Sequence, residues 1–279
     1  MSSPPVQEAP ELPAADQPDP VAATERRRGG LGARLMRIAG TVLVVAGTGA
    51  VTWTIVVWQW QDPFTALYTT YQQHKLSGRY HKIADSYHPL LVQRAKTSRP
   101  VRTNSAAAVA EERRLVARDA GRYRRSLEPG TPVGRIKVPR IGLSSVLVTG
   151  TDHDSLTKGP GWYTGSYLPG GGQLMYIAGH RTTYLAPFAH IDRLRPGDLV
   201  TIEVPYGTFV YRVRSHKIVP ADDLSQLQSH NREVVALQAC HPRFFASHRY
   251  IVYAVPVRVI PKGGSPYNVE HGGNSRFPP

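Results

Sequence analysis

The only cysteine of this 279-residue chain, Cys240, lies in Ala236-Leu237-Gln238-Ala239-Cys240-His241-Pro242-Arg243. It sits between two short β-prone apolar runs, 234–237 and 250–255, so the spacing puts Cys240 at the end of one strand and Arg249 at the start of the next. A third run, 174–178, ends in Gly179-His180-Arg181. Histidine, cysteine and arginine at strand edges could do acyl transfer. A thiolate supplies the nucleophile, an imidazole moves the proton, and a guanidinium holds developing negative charge. The competing readings are a buried, inert cysteine and a structural histidine. His241 and His248 are alternative bases, although His241 suits Cys240 poorly because strand neighbours point to opposite faces.

The elements that must hold these groups are short and β-rich. Residues 133–138, 201–204 and 209–214 alternate with period two, and 145–148, 174–178, 233–237 and 250–259 are further runs. Turn-forming clusters separate them, among them Pro169-Gly170-Gly171-Gly172 and Pro196-Gly197-Asp198. About eight strands with one- to two-turn helices near Asp154, 187–194 and 221–229 predict a closed barrel in preference to a sandwich. No metal constellation stands out and no cofactor is expected. Asp152 with Asp154, and Asp222 with Asp223, are read as helix N-caps instead of cation ligands.

Composition divides the rest of the chain. Residues 1–37 form a proline-rich, acidic stretch closing in a basic cluster (Arg26, Arg27, Arg28, Arg34, Arg37), expected to be a disordered cytoplasmic tail. Residues 38–60 carry no charge and, at about 1.5 Å per residue, are long enough to cross a bilayer, with Trp53, Trp58 and Trp60 at the far end. The preceding arginines orient the N-terminus to the cytoplasm and leave the remainder outside, single-pass. The alternative for this run is a cleaved signal peptide. Residues 61–130 read as an extracytoplasmic helical arm or linker, its helix at 106–120 capped by Asn104 or Ser105. Residues 131–262 are the main β domain, and 263–279 a flexible tail. The net charge of +14 arises after residue 60, because residues 1–60 hold five bases and five acids. An anionic partner such as lipid headgroups or wall polymers follows. Nucleic acid is disfavoured, since no aromatic-plus-basic recognition motif accompanies the charge.

Residues 131–259 resemble the sortases, cysteine transpeptidases of Gram-positive surfaces, and most closely the class E group of actinobacteria. The resemblance is carried by Ile136-Lys137-Val138-Pro139-Arg140-Ile141-Gly142, Thr149-Gly150-Thr151, Gly159-Pro160-Gly161-Trp162-Tyr163, Ile177-Ala178-Gly179-His180-Arg181-Thr182-Thr183-Tyr184, and Cys240-His241-Pro242-Arg243-Phe244 with Arg249. It implies an eight-stranded β-barrel with short helices, preceded here by the transmembrane helix and helical arm. It also implies His180, Cys240 and Arg249 as the catalytic triad. Tyr163, Thr183, Tyr184, Ala239 and His241 would be substrate-binding, Tyr184 being associated with Leu-Ala-x-Thr-Gly over Leu-Pro-x-Thr-Gly signals. The implied reaction cleaves a sorting signal between Thr and Gly through a thioester and joins the secreted protein to a peptidoglycan amine. One departure is Ala236-Leu237-Gln238-Ala239, where the family usually shows threonine-leucine-x-threonine. A pilin-polymerising sortase and a weakly active or non-catalytic peptide-binding module are the alternatives. A papain-like hydrolase conflicts with the His-before-Cys order.

Overall fold

The computed structural model describes residues 30–60, 63–97 and 106–269. Two compact units divide between Thr52 and Trp53. In the first, helix α1 begins; it runs Leu31–Trp60, longer at its N-terminal end than the uncharged run and taking in Arg34 and Arg37. Its Leu31–Val56 portion, with mean hydropathy 1.7, is long and apolar enough to cross a membrane. The N-terminal tail before residue 30 and the side chains of Trp58 and Trp60 lie outside the described residues.

The second unit contains helices α2 (Pro63–Ser86), α3 (Leu90–Thr97) and α4 (Ala106–Arg125), then the β domain. Its strands are β1 (Pro132–Val138), β2 (Leu143–Thr149), β3 (Gly161–Trp162), β4 (Leu174–Ala178), β5 (Leu199–Val204), β6 (Gly207–Pro220), β7 (Val234–His241), β8 (His248–Pro261) and β9 (Tyr267–Asn268). The short helix α5 spans His153–Leu156. Neighbour order β6-β5-β1-β2-β3-β4-β7-β8, with β8 pairing back onto β6, closes an eight-stranded barrel, and β9 adds to β8 as a short extra strand. Closure removes the exposed edges an open sheet would present.

Period-two patterning explains the interior. Ile136, Ile177, Ile202, Phe209 and Leu237 are all fully buried in one cluster. The 14-residue strands β6 and β8 carry register shifts at Val210/Tyr211 and Val213/Ser215, which let them curve around the barrel.

The region expected to be an arm is instead part of the folded body. Leu91 of α3 and Leu115, Val116, Ala120 and Tyr123 of α4 belong to the same buried cluster as the strands. Each buried leucine or valine among them contributes about 1.5–3 kcal/mol when removed from water, which an isolated stalk would forgo. The Tyr123 hydroxyl donates to the Val133 carbonyl (2.9 Å). Asp119 is buried and accepts from the Leu90 amide (2.9 Å), the Tyr87 hydroxyl (3.0 Å) and Arg122 (2.7 Å), tying α4 to the α2–α3 turn. Helix α2 docks through Leu76 and Tyr80, clustered with Val146 and Val148, and through polar groups. Gln73 donates to the carbonyls of Val146 (3.1 Å) and Lys158 (2.7 Å) and accepts from the Val146 amide (2.7 Å). Thr69 donates to the Thr157 carbonyl (2.8 Å) and Tyr80 to that of Glu203 (3.1 Å). Asn104 and Ser105, proposed as the α4 cap, lie outside the described residues.

The C-terminal boundary also shifts. Residues 263–269 are built onto the barrel through β9, with Tyr267 opposite Val259 and partly buried against the core; the rest of the expected tail, 270–279, lies outside the described residues. Asp152 caps α5 by accepting from the Ser155 amide (3.0 Å), and Asp223 caps the 3-10 turn Leu224–Leu227 by accepting from that of Ser225 (3.0 Å). Both are the capping roles their sequence contexts suggested.

Candidate active site

Strand pairing brings the three chemistry-bearing residues together. Strands β4 and β7 run parallel with Ala178 beside Gln238, so His180 and Cys240, each two residues further on, emerge at the same end. Strands β7 and β8 run antiparallel with Cys240 opposite Arg249. Directly paired residues share a face of the sheet, so the register itself places cysteine and arginine side by side. The face is the outer one. The inner face carries Met175, Ile177, Val235, Leu237 and Ala239 into the barrel core, and the outer face carries Tyr176, Ala236, Ile251 and Tyr253 into a separate cluster.

A cleft of about 300 Å³ opens over that outer face, lined by His180, Cys240 and Arg249 together with Tyr163, Gln238 and Ile251. The far end of β6 and the β6–β7 connection complete its wall through Val219, Ala221, Asp223, Leu224 and Leu227. Sequence reading missed this wall. Its residues come from a distant strand end and a 3-10 turn, and nothing local marks them as facing Cys240.

Each group has a distinct setting. Cys240 is a free thiol, partly exposed. His180 is half-buried, and its Nε2 has no hydrogen-bond partner among the described residues. Burial, with a smaller contribution from His153, lowers its pKa below the usual imidazole value, so the neutral ring is favoured near pH 7. Gly179 before it is required by space, because a Cβ there would lie 2.6 Å from the Phe188 ring. Arg249 donates through Nη1 to the carbonyls of Ala246 (2.8 Å) and His248 (3.1 Å), bracing the loop after Cys240.

The residues expected to bind substrate separate into two groups. Tyr163 lines the cleft. Tyr184 stands beside His180 with ring centroids 5.0 Å apart, and Thr183 accepts the Ala186 amide (2.8 Å) through its carbonyl; neither is among the lining residues. Tyr184, Leu185 and Ala186 form a left-handed turn (φ 53°, 60° and 37°), a conformation that costs about 1–2 kcal/mol per non-glycine residue. The hydroxyl of Thr65 on α2 accepts the Tyr184 amide (3.1 Å) and helps hold that turn. Ala239 and His241 correct the expectation. Alternation along β7 turns both away from the face of Cys240. Ala239 is fully buried in the barrel core, and His241 Nδ1 lies 3.0 Å from Arg181. The missing hydroxyl at position 239 therefore vacates the core face of the strand, not the cleft.

Arg181 was not singled out by sequence, yet it is the buried charge nearest this chemistry. Only 6% exposed, it donates to the Cys240 carbonyl (3.3 Å), pairs with Asp192 (3.2 Å) and lies over the Tyr250 ring. It ties the end of β4 to the end of β7. Among the described residues no group of three or more metal-ligating side chains occurs.

A closed barrel whose outer face presents cysteine, histidine and arginine in one cleft defines a candidate cysteine acyltransferase. Comparison with known proteins refines this: residues 136–257 match the family model for the sortase domain. Over 130 residues the chain is 35% identical to sortase D of Bacillus subtilis, covering 45% of this chain and 64% of that protein. Over 97 residues it is 32% identical to sortase SrtE1 of Streptomyces coelicolor, covering 31% and 27% respectively. The chain thus spans less than two-thirds of the length of either relative. A Clostridium perfringens sortase D5 transpeptidase shares the fold, with TM-score 0.50, 20% identity, and coverage of 67% of this chain and 98% of that one.

Proposed function

We propose that this protein is a membrane-anchored cysteine transpeptidase that cleaves a C-terminal sorting signal between Thr and Gly and joins the released carbonyl to a cell-surface amine. The observation that carries this reading is the convergence of His180, Cys240 and Arg249 on one cleft. The anchor is Leu31–Val56, with the N-terminus cytoplasmic and the catalytic body outside.

The neutral His180 ring takes the Cys240 proton, and the thiolate attacks the threonine carbonyl. A lowered pKa makes the resulting imidazolium a ready acid, so it protonates the glycine nitrogen as the C–N bond breaks and the thioester forms. The incoming amine gives its proton to His180 as it attacks the thioester, the C–S bond breaks to leave the new amide, and His180 passes that proton to the departing Cys240 sulfur. Arg249 spends Nη1 on the loop carbonyls, leaving Nε and Nη2 to stabilise the oxyanion or substrate carbonyls. Asp223, held ionised by hydrogen bonds from Ser225, is a cleft-lining carboxylate that suits an approaching cationic amine.

Within the family, Tyr184 beside His180 supports the class E reading and a Leu-Ala-x-Thr-Gly signal. A sortase D is also among the relatives, so the class E reading is tested with Leu-Pro-x-Thr-Gly as the competing signal. The test incubates the detergent-solubilised full chain with both peptides and either glycinamide or a lysine side-chain amine. Amine-linked product from glycinamide supports wall anchoring. Exclusive use of the lysine amine supports pilin polymerisation, and free acid alone would make the enzyme a hydrolase.

A further inference from the structure

The first turns of helix α2 invert the usual arrangement of an amphipathic helix, before Leu76 and Tyr80 restore it. The side facing the barrel near its start bonds through Thr65, Thr69 and Gln73. The opposite side leaves Leu67 (72%), Tyr68 (45%) and Tyr71 (64%) exposed, spaced as one face of the helix. Continuing along that side come His74, Lys75, Arg79 and Lys82, all exposed, and residues 63–84 contain no acid. An apolar aromatic patch running into a basic one needs a partner with an apolar layer under a negative surface.

We propose that this face of α2 lies in the interfacial layer of an anionic lipid bilayer, with Leu67, Tyr68 and Tyr71 at the acyl boundary and Lys75, Arg79 and Lys82 on the headgroups. The inference rests on the reading of Leu31–Val56 as a membrane span. Continuity argues for lipid as the occupant. Only residues 61 and 62 separate the end of α1 from the start of α2, and the rings of Trp53 and Phe64 meet at 5.7 Å. Tyrosine and tryptophan favour the interface, and basic side chains beyond them favour anionic headgroups. A second copy docking in parallel by the same face would set Lys75, Arg79 and Lys82 against their own equivalents, which repel, and an antiparallel one would cover the basic end with apolar side chains. The consequence is functional. Thr65, on the docked side of the same helical turns, holds the strained segment that carries Tyr184 against His180.

The test places a nitroxide on the full chain in a Cys240→Ala background, at Leu67→Cys, Tyr71→Cys, Val45→Cys or Asp85→Cys, in phosphatidylcholine–phosphatidylglycerol nanodiscs. Collision with oxygen is compared with collision with a water-soluble nickel chelate. Positions 45, 67 and 71 should favour oxygen several-fold over position 85, and the preference at 71 should fall in discs of phosphatidylcholine alone. Nickel preference at 67 and 71 with oxygen preference at 45 would overturn the proposal while leaving the span intact. Nickel preference at 45 would overturn both. Spin–spin broadening from 67 or 71 between chains would assign the face to a second copy, and an unchanged preference at 71 without anionic lipid would overturn the charge half of the proposal.

Discussion

The helix-covered side of the barrel and its cleft side treat buried polar groups in opposite ways. Under α2–α4, Thr69, Gln73, Asp119 and Tyr123 all have hydrogen-bond partners. At the cleft end lie the buried side-chain nitrogens that lack one among the described residues: His180 Nε2, Arg181 Nε and Arg243 Nε. An unmade buried hydrogen bond costs about 1–3 kcal/mol, so the cleft side carries an energetic debt that the braced side does not. The helix side is therefore the stabilising one, and of the three nitrogens at the other end only that of His180 belongs to a residue lining the cleft.

Breaking the braced side should have the largest effect on stability. Tyr123→Ala removes a buried ring that contacts Tyr87 and Tyr206 and a hydroxyl bonded to Val133, and should cost about 3–5 kcal/mol in urea unfolding. By the same reasoning, a fragment starting near residue 128 should unfold readily, because it lacks Leu115, Val116, Ala120 and Tyr123.

On the cleft side the readout is rate. Arg249→Ala should slow acylation by about 10²–10³-fold, as for loss of one oxyanion donor, with stability little changed. Stopped-flow thioester formation and urea unfolding measure the two. Equal loss in both would erase the distinction between the sides.

The contrast also marks what sequence made legible. Period-two runs announced most of the barrel, and the strand-end positions of His180, Cys240 and Arg249 announced their convergence. Strand β3, two residues long, is too short to alternate, and the bulges of β6 blur its pattern. The docking of α2 was hidden because Thr69, Gln73 and Tyr80 satisfy barrel carbonyls, and in sequence such residues look solvent-facing. Ala239 and His241 were expected near substrate from the family resemblance, but face alternation sends them elsewhere.

Arg181 tests how the cleft end is held together. Arg181→Gln removes charge-assisted bonds to Cys240 and Asp192 and should cost about 1.5–3 kcal/mol, with kcat falling more than KM rises. Rescue by Arg181→Lys should be partial, because lysine lacks the planar fork.

The smallest expected effect is on titration. The folded pKa of His180 lies below its unfolded value, so its contribution to stability is present above about pH 6.5 and is lost as pH falls through that value toward the folded pKa. His153→Gln removes the neighbouring charge and should raise the His180 midpoint, read by NMR titration. A midpoint that falls would contradict the assignment.

The central claim is that Cys240 is the acylated nucleophile. Intact-mass spectrometry of the detergent-solubilised full chain with Leu-Ala-x-Thr-Gly or Leu-Pro-x-Thr-Gly peptide tests it directly. The account predicts a peptide adduct that maps to Cys240 and disappears in Cys240→Ala. Absence of an adduct with either peptide, while iodoacetamide still labels Cys240 in the folded protein, would contradict it.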